Sequence, residues 1–132
     1  AYKVPVSKTV PHLYKESPEL QAMPEVFATA FMIGLMEWTC VQLLEPHLDE
    51  GECSVVVQED VSHTAATPPG LTVTFEAECI EVRGPRATFK FREHDGVDEI
   101  SIGTHDRFIV AWNRFDRGLA PKRDKTVEEA PA

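Results

Sequence analysis

FATAFMIGLMEWTCVQLL, residues 27–44, carries a single charge, Glu37, among Leu35, Met36, Trp38 and Cys40. The apolar residues lie almost all round the helical wheel rather than along one stripe, which predicts a helix wrapped by protein on most sides. Pro46 closes the run and HLDEGEC turns the chain. A carboxylate inside such a helix loses its water, and leaving it unpaired there is costly. No basic residue lies within reach of Glu37 along this helix, so either an arginine from elsewhere pairs with it or it serves as a base or nucleophile.

Beyond the helix the sequence alternates. SVVVQEDVSHTAAT (residues 54–67) begins as a strand and stops at Pro68-Pro69-Gly70. LTVTFEAECIEV (71–82) puts Leu71, Val73, Phe75, Ala77, Cys79 and Glu81 on one face; Gly84-Pro85 turns the chain. RATFKFREHD (86–95) alternates again, Gly96 turns, and DEISIGTHDRFIVAW (98–112) is the last long strand. Ahead of the helix, residues 1–9 read as an extended lead-in around Pro5, and residues 10–24, with Pro11, Pro18 and Pro24, as loop or short helical turns. The class is α+β: a buried helix with an antiparallel sheet curled around it. One small sheet rarely covers a helix that is apolar on every side, which points to a dimer. The reading is one domain over residues 1–118, followed by a polar, frayed tail over 119–132.

The net charge of −9 argues against a nucleic-acid surface, which needs a basic stripe. No Lys or Arg occurs between Lys15 and Arg83, so an anionic ligand is met by Arg83, Arg86, Lys90, Arg92 or Arg107 if by any. Three cysteines without CxxC or Cys/His spacing imply a reduced protein with no structural metal, Cys40 and Cys79 reading as small core residues. No stretch reads as a signal peptide, and Glu37 and Gln42 break the longest apolar run, so the expected compartment is cytoplasmic and no membrane partner is expected. Patterns for P-loops, GxGxxG, G-x-S-x-G and HExxH are missing.

Two further residues join Glu37 as candidates. His63 ends a strand just before the rigid Pro-Pro-Gly turn, where a polar ring either serves a site or bonds the turn. Thr29 falls at the start of the long helix. Its hydroxyl either caps free N–H groups or stands where those groups and the helix dipole meet a developing oxyanion. Thr29 and Glu37 are eight residues apart, about 12 Å along the axis, so they do not touch within one straight helix. His94 and His105 read as ordinary polar strand or turn residues.

PEVFATAFMIGLMEW, SHTAATPPGLTVT and HDGVDEISIGTH together resemble the fluoroacetyl-CoA thioesterase family, over about Lys8 to Arg107. The resemblance implies a hot dog fold, a homodimer with two sites between subunits, an acyl-CoA substrate, and a catalytic triad at Thr29, Glu37 and His63. It implies no cofactor, because CoA is part of the substrate. It leaves open whether Thr29 or Glu37 attacks the thioester carbonyl, or Glu37 activates a water. Leu20 and Met23 stand where the fluoroacetyl-specific enzyme has a pair of gating phenylalanines, and Val56 where it has a glycine near the acyl pocket. Val10 and Leu13 match its substrate channel and Arg107 an arginine near the site. The expectation is hydrolysis of a short- or medium-chain acyl-CoA, without a prediction of fluorine selectivity. The alternative is a non-catalytic acyl-CoA-binding hot dog dimer. A hot dog hydratase is disfavoured, because Glu37 and His63 sit on separate elements.

Overall fold

The computed structural model describes residues 1–129, with side chains to Lys125. Helix α2, Thr29–Leu44, follows a four-residue helix α1, Pro18–Gln21, and sits in the concavity of a five-stranded antiparallel sheet. The strands are β1 (Tyr2–Lys3), β2 (Glu52–Val61), β3 (Thr72–Arg83), β4 (Arg86–His94) and β5 (Glu99–Ala111), in the order β1-β3-β4-β5-β2. β2 therefore forms one edge, paired only through β5.

Burial follows the two expected periods. On α2, Met32, Met36, Cys40 and Leu44 recur every four residues and face the sheet. On β4, Ala87, Phe89, Phe91 and Glu93 recur every second residue and face the helix. Met36, Cys40 and Leu44 pack on Ala87, Phe89 and Phe91 at one end of the helix. At the other, Met32 packs with Val4, Phe27, Val73 and Ile100. The opposite face of α2 has no cover among the described residues: Ala30, Gly34, Trp38 and Gln42 are exposed, Trp38 to 59%.

The chain leading into α2 is pinned on both sides. Ala28 N–H donates to the Lys8 carbonyl (3.1 Å), Val10 N–H to the Val26 carbonyl (3.0 Å) and Phe27 N–H to the Thr67 carbonyl (2.7 Å). These bonds bring the segment of Val10, the start of α2 and the loop after β2 to one place.

Three expectations are corrected. The lead-in over residues 1–9 is strand only over β1, after which Val6–Lys8 is a 3-10 turn behind Pro5, while Val10–His12 is one of the short helical turns expected over residues 10–24. Cys79 is exposed rather than core: it keeps the register of Ala77, opposite Phe89, but β3 is exposed on both faces from Glu78 to Arg83. Residues 119–129 of the segment read as a frayed tail are helical, and residues 130–132 lie outside the described residues: α3 spans Trp112–Glu129, with Trp112 stacked on Phe115 and Arg123 paired with Asp116.

Candidate active site

Thr29 is the first residue of α2, not its cap. The cap position belongs to Ala28, which offers no side-chain hydrogen bond, and the first helical bond runs from Met32 N–H to the Ala28 carbonyl (2.9 Å). The N–H groups of Thr29, Ala30 and Phe31 precede that bond and are the donors a helix start leaves over. No acidic side chain lies in the first turn to compete for them. With capping set aside, the Thr29 hydroxyl turns to His63: Oγ1 and Nδ1 are 2.7 Å apart.

His63 lies two residues past the end of β2, in a loop fixed at each side. Ser62 N–H donates to the Ile102 carbonyl (3.0 Å) and Thr64 N–H to the Ile100 carbonyl (2.9 Å). Further on, the buried Thr67 hydroxyl donates to Asp95 Oδ2 (2.8 Å), whose other oxygen accepts from the N–H groups of Val97 and Asp98. The imidazole is half-buried. Desolvation pushes its pKa below the usual 6.5, partly offset by the Ala65 backbone, so the ring is neutral at pH 7. Its Nε2 is buried with no hydrogen-bond partner at good geometry. A neutral ring that accepts at Nδ1 from Thr29 carries its proton on Nε2.

The pair opens onto a cleft of about 310 Å³ lined by Val10, Val26, Phe27, Thr64 and Ala65, beside the start of the helix. Polar groups converge at one end of this small, partly apolar cleft, as in a site for an acyl group. Of the residues expected to form the pocket, Val10 is in the lining; Leu13, Leu20, Met23 and Val56 are not. Met23 is 52% exposed on the segment before α2, and Val56 is 41% exposed on β2.

Glu37 does not join Thr29 and His63 within one chain. It lies two turns further along α2, half-exposed, with Oε1 3.3 Å from Arg107 Nη1. Arg107 is nearly fully buried on β5 and is further held by Ser54, Nε to the hydroxyl and Nη2 to the carbonyl, both 2.8 Å. The arginine that pairs with the lone helix carboxylate thus comes from a strand.

Two buried polar residues near this pair correct the sequence reading: His105, expected as an ordinary polar strand or turn residue, and Glu93, which the sequence does not single out. His105 is fully buried, with Nε2 3.1 Å from Arg107 Nη1 and Nδ1 against Glu59 Oε1. Glu93 is fully buried opposite Ser101; burial pushes its pKa up to about 8, opposed in part by Ser101 and added to by the charge of Glu59. The signal for both was the period of two. Glu93 follows Ala87, Phe89 and Phe91, and His105 lies between Ser101 and Arg107 on the inward face. Among the described residues no group of His, Cys, Asp and Glu is arranged to hold a metal ion, and no helix is long and apolar enough to cross a membrane. Burial pushes the Cys40 thiol up to about 12, so it is no nucleophile at neutral pH.

Residues 9–113 match the model of the family described as fluoroacetyl-CoA-specific thioesterase. A fluoroacetyl-CoA thioesterase from Streptantibioticus cattleyicolor is 53% identical over 121 residues, which is 92% of this chain and 87% of that protein. A crystal structure of a variant of the fluoroacetyl-CoA-specific thioesterase with fluoroacetate and CoA superposes with a TM-score of 0.89 at 52% identity, covering 92% of this chain and 94% of that one. A hot-dog-like protein from Thermanaerovibrio acidaminovorans, 27% identical, superposes with a TM-score of 0.77 over 91% of this chain and 84% of its own.

Proposed function

Because the chain belongs to the fluoroacetyl-CoA-specific thioesterase family and is an acyl-CoA thioesterase of the hot dog fold, we propose that it works as a cytoplasmic homodimer whose Thr29–His63 pair is completed by Glu37 of the partner subunit. The observation that carries this reading is the 2.7 Å contact between Thr29 Oγ1 and His63 Nδ1 at the open start of α2. His63 accepts the Thr29 proton as the hydroxyl oxygen attacks the thioester carbonyl. The leftover N–H groups of the helix start receive the oxyanion. His63 hands the Thr29 proton to the departing CoA sulfur, so CoA leaves as a thiol, and the neutral ring then takes a proton from the water that attacks the Thr29 ester and returns it to Thr29 Oγ1 as the acid is released. No cofactor enters, because CoA arrives as part of the substrate.

The dimer is supported by two surfaces that lack cover in one chain, the Ala30–Gly34–Trp38 face of α2 and the free edge of β2 with Val56 and Val57 exposed. A two-fold axis running past α2 sets two such helices antiparallel, and the eight-residue offset between Thr29 and Glu37 then brings each to the other's counterpart. There the half-exposed Glu37 carboxylate approaches the cleft of the other subunit and orients His63 or the attacking water. Val10 lines the acyl end, with Leu13, Leu20 and Met23 as a flexible apolar cover and Val56 narrowing the cavity at the dimer seam. The substrate is a short- or medium-chain acyl-CoA.

The test is CoA release from acetyl-, fluoroacetyl-, propionyl-, butyryl- and longer acyl-CoAs by wild type, Thr29→Ala, Glu37→Gln and a co-expressed mixture of the two variants. Each variant alone loses turnover. Random pairing gives half heterodimers, each with one intact site, so the mixture recovers about a quarter of wild-type activity. A mixture as inactive as its parts puts Glu37 to work within its own chain. Binding of CoA esters without turnover by wild type would make the protein a carrier rather than a catalyst.

A further inference from the structure

The layer between α2 and the sheet buries polar groups that the Thr29–His63 pair does not use. His105 stands at its centre, between Arg107 Nη1 and Glu59 Oε1. A guanidinium has only donors, so His105 Nε2 must offer it a lone pair, and the ring proton sits on Nδ1 and is donated to Glu59. Accepting from Arg107 at Nε2 and donating to Glu59 at Nδ1, the ring is held in one tautomer. Arg107 is correspondingly constrained: Nε and Nη2 are taken by Ser54, and Nη1 is shared between His105 and Glu37.

We propose that Glu59 and His105 are positioning residues for Glu37: the Glu59-bound imidazole holds Arg107 Nη1 in place, and Arg107 in turn aims and fixes the Glu37 carboxylate. This rests on the role proposed above for Glu37. A long carboxylate side chain on a half-exposed helix face has several rotamers, and small misplacements of a reacting group are expensive in rate. The other charged and titratable groups of the layer fit the arrangement. From β4, burial and, less, the charge of Glu59 push the Glu93 pKa up to about 8, so it keeps most of its proton at neutral pH. From α2, Cys40 lies within reach of the charges of Arg107, Glu59 and Glu37 and stays a thiol.

The experiment is a double-mutant cycle on CoA release, with the best acyl-CoA of the panel above. His105→Leu is expected to lower kcat about tenfold or more while KM moves less than about threefold. His105→Gln, whose amide offers one acceptor and one donor, recovers most of that loss. In the Glu37→Gln background, His105→Leu costs less than about twofold further, because the carboxylate it positions is gone. Should His105→Leu fail to fold, Glu59→Ala, at a partly exposed position on the edge strand, takes its place in the same cycle. Losses that multiply across the cycle overturn the proposal and leave the role of Glu37 standing. Full turnover in Glu37→Gln alone removes that role and this inference together.

Discussion

Thr29 and His63 show how a single contact changes the meaning of a residue. A threonine at a helix start is ordinarily a cap, but here Ala28 holds the cap position and the hydroxyl is turned away from the helix to an imidazole. The pH dependence follows from the state of that ring. Desolvation disfavours the imidazolium, so His63 stays a competent base below its usual pKa of 6.5. The acid limb of kcat/KM should therefore fall below pH 6.5, and in His63→Ala that limb should vanish along with most of the rate; a limb at or above 6.5 would mean that another group is the base. The lone carboxylate, the strand-end histidine and the helix-start threonine were all legible in the sequence, because each broke a local pattern. What was not legible was the pairing among them. Sequence spacing gives the distance between Thr29 and Glu37 along one helix but says nothing about Arg107, which reaches Glu37 from seventy residues away. His105 and Glu93 were hidden for the opposite reason. They keep the strand alternation and break only its polarity, and a polar residue on a strand is normally read as facing water.

Strand boundaries were legible because the Gly and Pro turns punctuate a strict alternation, and all four long strands stand within a few residues of where the sequence puts them. Helix α3 was not, since Gly118 and Pro121 are helix-breaking signals in a polar segment. Its apolar residues Trp112, Phe115 and Leu119, spaced by three and four, were the available clue. The seam between β2 and β5 has a more demanding requirement that only the structure exposes. A Cβ on Gly103 would lie 1.9 Å from the Asp60 carbonyl oxygen, in backbone that cannot swing aside as a side chain does. Gly103 pairs with Val61, the last residue of β2 before the loop that carries His63. Gly103→Ala must then part the strands where they aim that loop. We expect a stability loss of about 3 kcal/mol or more in urea unfolding, at the upper end for overpacking, accompanied by reduced turnover in the fraction that remains folded. A loss within about 0.5 kcal/mol would mean the seam yields without strain.

At the scale of the whole molecule, one chain leaves the apolar problem posed by residues 27–44 half solved. The sheet covers the Met32–Met36–Cys40–Leu44 face of α2, while Trp38 stays 59% exposed beside Gly34, which has open space above its Cα. A flat, small-residue stripe flanked by an indole suits close approach of a second helix, and the adjacent β2 edge offers unpaired backbone groups for a second strand. Val57 is 46% exposed and sits at the register shift of β2, outside the β2–β5 pairing. Lysine on an edge strand discourages strand addition by forcing a charge into the new seam. Wild type is therefore expected to sediment as a dimer and Val57→Lys as a monomer with an unchanged far-UV spectrum, since its own sheet and helix packing are untouched. If Glu37 acts across the seam, the monomer should also lose at least about tenfold in kcat/KM, and raising the protein concentration should restore part of the rate by mass action. A monomer with wild-type turnover would show that the Thr29–His63 cleft suffices by itself, and Glu37 would then be held by Arg107 for the stability of the helix alone.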